Sequence, residues 1–188
     1  MDVILLGPPG AGKGVQATML IDALGLTHVS TGELLRRHRD EGTDLGHKAA
    51  RYMATGRLVP DALVIEMILE VLADAPGGLL LDGFPRTLAQ AHALDEAWAE
   101  HRRRLLGVVL LEVSDDVIVE RLSGRGREDD DLATVRKRLD VYRESTQPLI
   151  GYYDERGLLH PVDGAQPPAA VHAAVCASLG VAPAASRV

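Results

Sequence analysis

The segment Gly7-Pro8-Pro9-Gly10-Ala11-Gly12-Lys13 carries the densest chemistry in the chain. Glycines at this spacing let the backbone turn inward so that successive N–H groups surround a phosphate, and a closing lysine reaches its outer oxygens. The apolar run Val3–Leu6 precedes the loop and helical periodicity follows it, so a strand leads in and a helix adds its positive N-terminus. The strict phosphate-loop pattern has Ser or Thr directly after the lysine, where the hydroxyl ligates magnesium. Here Gly14 and Val15 follow, and neither has a hydroxyl. The ion must then be held by phosphates, water and a carboxylate from elsewhere. Asp82, closing the run Leu79-Leu80-Leu81, stands at a strand's carboxyl end for that task.

Arginine supplies all but three of the 20 basic residues. Arg86 lies just beyond Asp82, while Arg121, Arg125, Arg127 and Arg138 come from the ends and flanks of a charged stretch, Gly124–Asp131. Guanidinium forks bind phosphate oxygens bidentately. Several of them converging on one cleft would offset the charge that builds during phosphoryl transfer. Arg102-Arg103-Arg104 reads instead as a solvated helix end, and Asp129-Asp130-Asp131 as candidate partners for the loop arginines. No general base or nucleophile stands out. The seven histidines are scattered, read as surface residues, and none is paired with Ser, Cys or a carboxylate at a telling spacing. A hydroxyl acceptor usually needs a carboxylate to take its proton, whereas a phosphate acceptor is already an anion. The residues therefore favour transfer between phosphates.

These groups must be positioned by regular elements. Short apolar runs alternate with helical periodicity, which predicts an α/β fold with a parallel, five-stranded sheet flanked by helices. The predicted strands are Val3–Leu6, His28–Ser30, Leu79–Asp82, Val108–Val113 and Leu158–Val162. Helices are predicted over about 13–24, 31–40, 45–55, 61–73, 87–100, 115–123, 132–153 and 168–179. Thr31, before Glu33, and Asp115, before Val117-Ile118, are read as helix caps. Right-handed crossovers put ligands at the carboxyl ends of the strands. The surplus of helix between the second and third strands makes 30–59 an inserted subdomain, and the tail 183–188 is expected to fray.

The chain has 188 residues and a formal net charge of −7, with 46% apolar and 25% charged residues. That is one globular domain with too little positive charge for a nucleic acid or an anionic membrane as main partner. The single Cys176 excludes an internal disulfide and any multi-cysteine metal site. Val3–Leu6 stops at Gly7, too short for a secretory core, so a cytoplasmic protein is expected.

The ordered strings Gly7–Gly14, Ser30-Thr31-Gly32-Glu33-Leu34-Leu35-Arg36 and Asp82-Gly83-Phe84-Pro85-Arg86-Thr87 strongly resemble the adenylate kinase family. The resemblance runs on through Arg121 to Arg127, Arg138-Leu139, Pro148–Tyr153 and Val162-Asp163-Gly164, covering nearly the whole chain. It implies a nucleoside monophosphate kinase fold with an AMP-binding insertion over 30–59 and a short lid over 124–132. The implied reaction is Mg·ATP + AMP ⇌ 2 ADP, by a monomer whose cofactor is the Mg2+ that comes with ATP.

Carried over by position, Gly10, Ala11, Gly12, Lys13, Gly14 and Val15 would wrap the ATP phosphates. Arg121 and Arg125 would meet ATP, and the backbone near Gln166 would read its adenine. On the AMP side stand Thr31, Arg36, Arg57, Leu58, Val59, Gly83, Phe84, Pro85, Arg86 and Gln90, with Arg127 and Arg138 bridging phosphates when the lid closes. Lys13, Arg86, Arg121, Arg127 and Arg138 would carry the catalytic charge, and Asp82 would hold magnesium through water. Thr31 bears on specificity, because similar pyrimidine-accepting kinases tend to place alanine there.

Two features depart from the family pattern. Val15 stands where the family usually has Thr, which removes a hydrogen bond to a charged group and predicts turnover lower by roughly 10- to 100-fold at most. The lid is very short. Relatives with longer lids often carry zinc there on four ligands, and with one distant cysteine no zinc is expected here. Two other readings stay open: a kinase for another nucleoside monophosphate, and an ATP-binding sensor weakened in catalysis by Val15.

Overall fold

The computed structural model describes residues 1–75, 77–124 and 131–182. The strands β1 (Asp2–Leu6), β2 (Thr27–Ser30), β3 (Leu79–Asp82), β4 (Leu105–Glu112) and β5 (Leu159–Asp163) pair in the order β2-β3-β1-β4-β5. Every pairing is parallel. The predicted strands are thus present, with β4 starting earlier than expected. The three inner strands β1, β3 and β4 are apolar on both faces because helices cover both. Val3, Leu5, Leu80, Val109 and Leu111 point into one core, shared with α1 (Lys13–Leu24) and α9 (Pro168–Leu179). Their neighbours Ile4, Leu6, Leu79, Leu81, Val108 and Leu110 point the other way. There they meet α4 (Asp61–Asp74), α5 (Leu88–Glu100) and α8 (Pro148–Asp154). This two-residue alternation fixes the register, since a one-residue slip would exchange the two cores.

Helices α2 (Thr31–Asp40) and α3 (Asp44–Ala54) fill the long connection from β2 to α4 and pack closely on each other. Ser30, in extended backbone, caps α2 by accepting from the Glu33 N–H, so Thr31 is the first helical residue and not the cap. Asp115 is likewise the first residue of α6 (Asp115–Ser123), with Ser114 before it. Asp131 caps α7 (Leu132–Val141) through the Ala133 and Thr134 N–H groups, both at 3.0 Å; Asp129, Asp130 and the loop arginines expected to pair with them lie outside the described residues.

The single helix predicted over 132–153 is broken. A π-helical turn, Tyr142–Thr146, follows α7, and the Gln147 N–H reaches back to the Tyr142 carbonyl at 2.9 Å. Pro148, which lacks an N–H, then opens α8.

Arg103 corrects a second expectation. It is not part of a solvated helix end: its side chain is 13% exposed and grips the Asp2 carboxylate, Nε to Oδ2 at 2.8 Å and the terminal nitrogen to Oδ1 at 2.9 Å. Trp98 Nε1 and the Leu79 N–H also donate to Asp2, at 2.7 and 2.9 Å. The buried carboxylate is thereby fully partnered at the strands' N-terminal end.

Candidate active site

The loop from Gly7 to Lys13 joins the end of the central strand β1 to the head of α1. Gly12 is the N-cap residue with φ 97°, a conformation that only glycine adopts without strain. With no capping side chain there, the first N–H groups of α1 stay open to an anion. Lys13 Nζ folds over the loop and donates to the Gly7 and Pro8 carbonyls at 2.8 and 2.9 Å. Val15 is 51% exposed, so an apolar side chain stands open beside the phosphate loop.

Asp82, at the carboxyl end of β3, holds its Oδ2 4.0 Å from where a Cβ on Gly14 would stand. Burial works to raise its pKa, but His28, Lys13 and Arg86 more than offset this and leave it below the ordinary carboxylate range. Asp82 is therefore ionised at neutral pH. His28 Nε2 lies 3.7 Å from it, an ion-pair distance too long for a hydrogen bond, and the carboxylate raises the imidazole pKa against burial. The sequence pattern gave no sign of this histidine–carboxylate pair, which parallel pairing of β2 with β3 creates.

Past Asp82 the chain turns at Gly83, with φ 79°. A Cβ there would stand 2.8 Å from an Arg86 terminal nitrogen and 2.9 Å from Thr31 Oγ1. The Gly83 carbonyl accepts from Thr31 Oγ1 and from Arg86 Nε, both at 2.8 Å. Burial lowers the Arg86 pKa while Asp82 opposes it, and the guanidinium stays charged because its ordinary value lies so far above neutrality. The Arg86 N–H donates to Gln90 Oε1 at 2.8 Å, and Gln90 Nε2 donates to Asp61 Oδ1 at 2.7 Å. Thr87 Oγ1 donates to the other Asp61 oxygen at 2.9 Å.

Beyond β4 and β5 lies the opposite wall. Arg121, in the last turn of α6, donates to the Gly164 carbonyl at 3.0 Å and to the Ala11 and Ala165 carbonyls, each at 3.4 Å. It thus ties the phosphate loop to the β5–α9 turn. Gln166 Nε2 donates to Asp163 Oδ2 at 2.8 Å, and that bond, with one from the Ala165 N–H, lowers the Asp163 pKa.

All these walls enclose one cleft of about 1000 Å³. It takes in Gly10 to Val15, Thr31, Arg36, Arg57 to Val59, Asp82, Gly83, Pro85, Arg86, Gln90, Arg121, Arg138 and Gln166. Phe84 is the exception among the described candidates: its side chain is 1% exposed and belongs to the apolar core. Arg125 and Arg127 lie outside the described residues. Asp61 and Thr146 escaped sequence reading because their partners, a hydroxyl, an amide and a backbone carbonyl, are distant in the chain. His172 is not the surface residue expected: it is buried in α9, one helical turn from Cys176, whose sulfur it touches at 3.5 Å. Burial lowers the histidine pKa and raises the thiol's, so both stay uncharged at neutral pH.

Among the described residues no three His, Cys, Asp or Glu side chains converge to hold a metal ion. The ionised, half-buried Asp82 facing Gly14 suits an outer-sphere hold on magnesium that arrives bound to ATP.

A phosphate loop on the middle strand of a parallel sheet, facing an arginine-lined cleft, defines a phosphate-loop nucleotide phosphotransferase. The family model for adenylate kinase matches residues 5–158. The chain belongs to the adenylate kinase family. It is 52% identical over 183 residues to the adenylate kinase of Thermus thermophilus, covering 95% of this chain and 97% of the relative. It is 51% identical over 166 residues to that of Corynebacterium urealyticum, covering 87% and 92%, and 50% identical over 171 residues to adenylate kinase 1 of Synechocystis, covering 90% and 91%. No helix among the described residues is long and apolar enough to cross a membrane.

Proposed function

We propose that this chain transfers the terminal phosphoryl group of Mg·ATP to AMP, reversibly, giving two ADP. The observation that carries the reading is the convergence of Lys13, Arg36, Arg86, Arg121 and Arg138 on one cleft with the open N-terminus of α1. Donor phosphates would rest on Gly10 to Val15, with Arg121 and Gln166 toward the donor base. The acceptor would lie against Thr31, Arg36, Arg57 to Val59, Gly83, Arg86 and Gln90. Positive charge from both sides would then meet at the transferring group, where positioning and electrostatics do the catalytic work. The acceptor phosphate needs no base to take a proton. Asp82 would hold the magnesium of Mg·ATP through water.

Thr31 supports AMP as the acceptor. Its hydroxyl proton is engaged by the Gly83 carbonyl, so toward a base it offers lone pairs. That suits the exocyclic amine of adenine and not the carbonyl of guanine or uracil. Residues 30–59 would form the acceptor's insertion and 124–132 a lid, closing to exclude water from the transfer. The same reading carries a monomeric, cytoplasmic enzyme with ATP, AMP and ADP as partners, and with neither nucleic acid nor membrane.

The test is steady-state ADP formation with Mg·ATP and AMP, CMP, UMP or GMP offered singly. Turnover with AMP is expected. Turnover on another acceptor alone would overturn the part given to Thr31, and tight ATP binding without turnover would favour a sensor.

A further inference from the structure

Arg86 lies in the irregular stretch between β3 and α5, where no sheet or helix ladder fixes its peptide groups. Side chains hold them instead. Gln90 Oε1 takes the Arg86 N–H at 2.8 Å, and Thr146 Oγ1 donates to the Arg86 carbonyl at 3.0 Å. Thr146 is 6% exposed, ends the π-helical turn and borders the nucleotide cleft. A π turn alters the phase between the helix before it and the helix after it and often marks functional sites. Thr146 sits at that change of phase, with α7 bringing Arg138 to the same cleft.

We propose that Thr146 is a positioning residue for Arg86: its hydroxyl fixes the Arg86 carbonyl, and with it the line along which the guanidinium meets the acceptor phosphate. The inference rests on the phosphoryl-transfer reading above. Without the Thr146 bond the Arg86 backbone is held through Gln90 alone and can pivot about that anchor. A group displaced by about 1 Å from its productive place costs up to roughly 100-fold in rate. The effect falls on the acceptor side, because the other Arg86 bonds reach Gly83 and Gln90 and not the donor wall.

The test is Thr146→Val, which keeps shape and removes the donor, alongside Thr146→Ser, which restores it. Calorimetric AMP affinity and the KM values for AMP and ATP are measured on each. Thr146→Val is expected to weaken AMP binding and raise its KM by about tenfold, with the KM for ATP unchanged and Thr146→Ser close to the parent. Should Thr146→Val not fold, Thr146→Ala is read by the same criteria. Unchanged AMP constants, an equal rise for both nucleotides, or a serine variant as impaired as the valine would overturn the proposal. Absence of turnover in the parent protein on every acceptor would overturn the functional reading, while the AMP affinities would still decide the part played by Thr146.

Discussion

Asp61 holds Gln90 by its amide nitrogen at 2.7 Å and thereby decides which way the amide points. The Gln90 oxygen is turned toward the Arg86 N–H, so a carboxylate at the start of α4 orients, from behind, the wall proposed for the acceptor. Asp61→Asn replaces a charged acceptor of two hydrogen bonds with a half-donor. Losing one hydrogen bond to a charged group is worth about 1.5 kcal/mol, so the KM for AMP is expected to rise about tenfold. The KM for ATP should stay where it is. Parallel increases for both substrates in steady-state kinetics would contradict this.

Val15→Thr should speed the reaction. Val15 is exposed beside the phosphate loop, so the new hydroxyl has room and no core is disturbed. A hydrogen bond to a charged phosphate is worth about 1.5–3 kcal/mol, or roughly 10- to 100-fold in kcat/KM as an upper range. An unchanged kcat/KM would show that the valine is no handicap.

Asp2→Asn tests the opposite end of the sheet. The carboxylate is 1% exposed and pairs with Arg103, Trp98 and the Leu79 N–H. Breaking a buried ion pair from one side leaves the other charge stranded, at a cost of about 3 kcal/mol. Urea titration should show that loss, with kcat unaltered because the cleft lies at the strands' other ends. A variant as stable as the parent would mean the network contributes little.

The His28–Asp82 pair makes a pH-dependent contribution to stability. The raised His28 pKa stabilises the fold fully below 6.5 and less as pH climbs through the elevated value. The lowered Asp82 pKa contributes above 3.8 and is lost as pH falls through the depressed value. Nucleotide-free protein and its His28→Gln variant should therefore differ most in unfolding free energy between 3.8 and 6.5, the gap narrowing at higher pH. Equal gaps on both sides of 6.5 in denaturant titrations would refute it.

Periodicity located every strand and nearly every helix, because apolar runs of the β type and helical spacing are written locally. The glycine loop and Arg86, Arg121 and Arg138, which line one cleft, could be singled out for the same reason: residue type and spacing are local. The break at Tyr142–Thr146 was hidden, since the polar run Arg143-Glu144-Ser145-Thr146-Gln147 holds no apolar residue in which a change of phase would show. Arg103 looked solvated because its partner, Asp2, is brought to it only by the tertiary fold. Phe84 sat inside a site string yet turned to the core, for a motif records neighbours and not which way each side chain faces. Asp61 and Thr146 act on backbone or on another side chain, and such roles leave no pattern of spacing.

The strand order gives the cleft two flanks. With β1 in the middle, Thr31, Gly83 and Gln90 follow β2 and β3 on one flank, while Arg121 and Gln166 follow β4 and β5 on the other. They meet at the loop between them and again where Thr146 donates to the Arg86 carbonyl. A lineage descending from such a scaffold can revise one flank by point mutation and inherit the other intact. On the proposed reading, choice of acceptor and choice of donor would then answer to different substitutions within one gene.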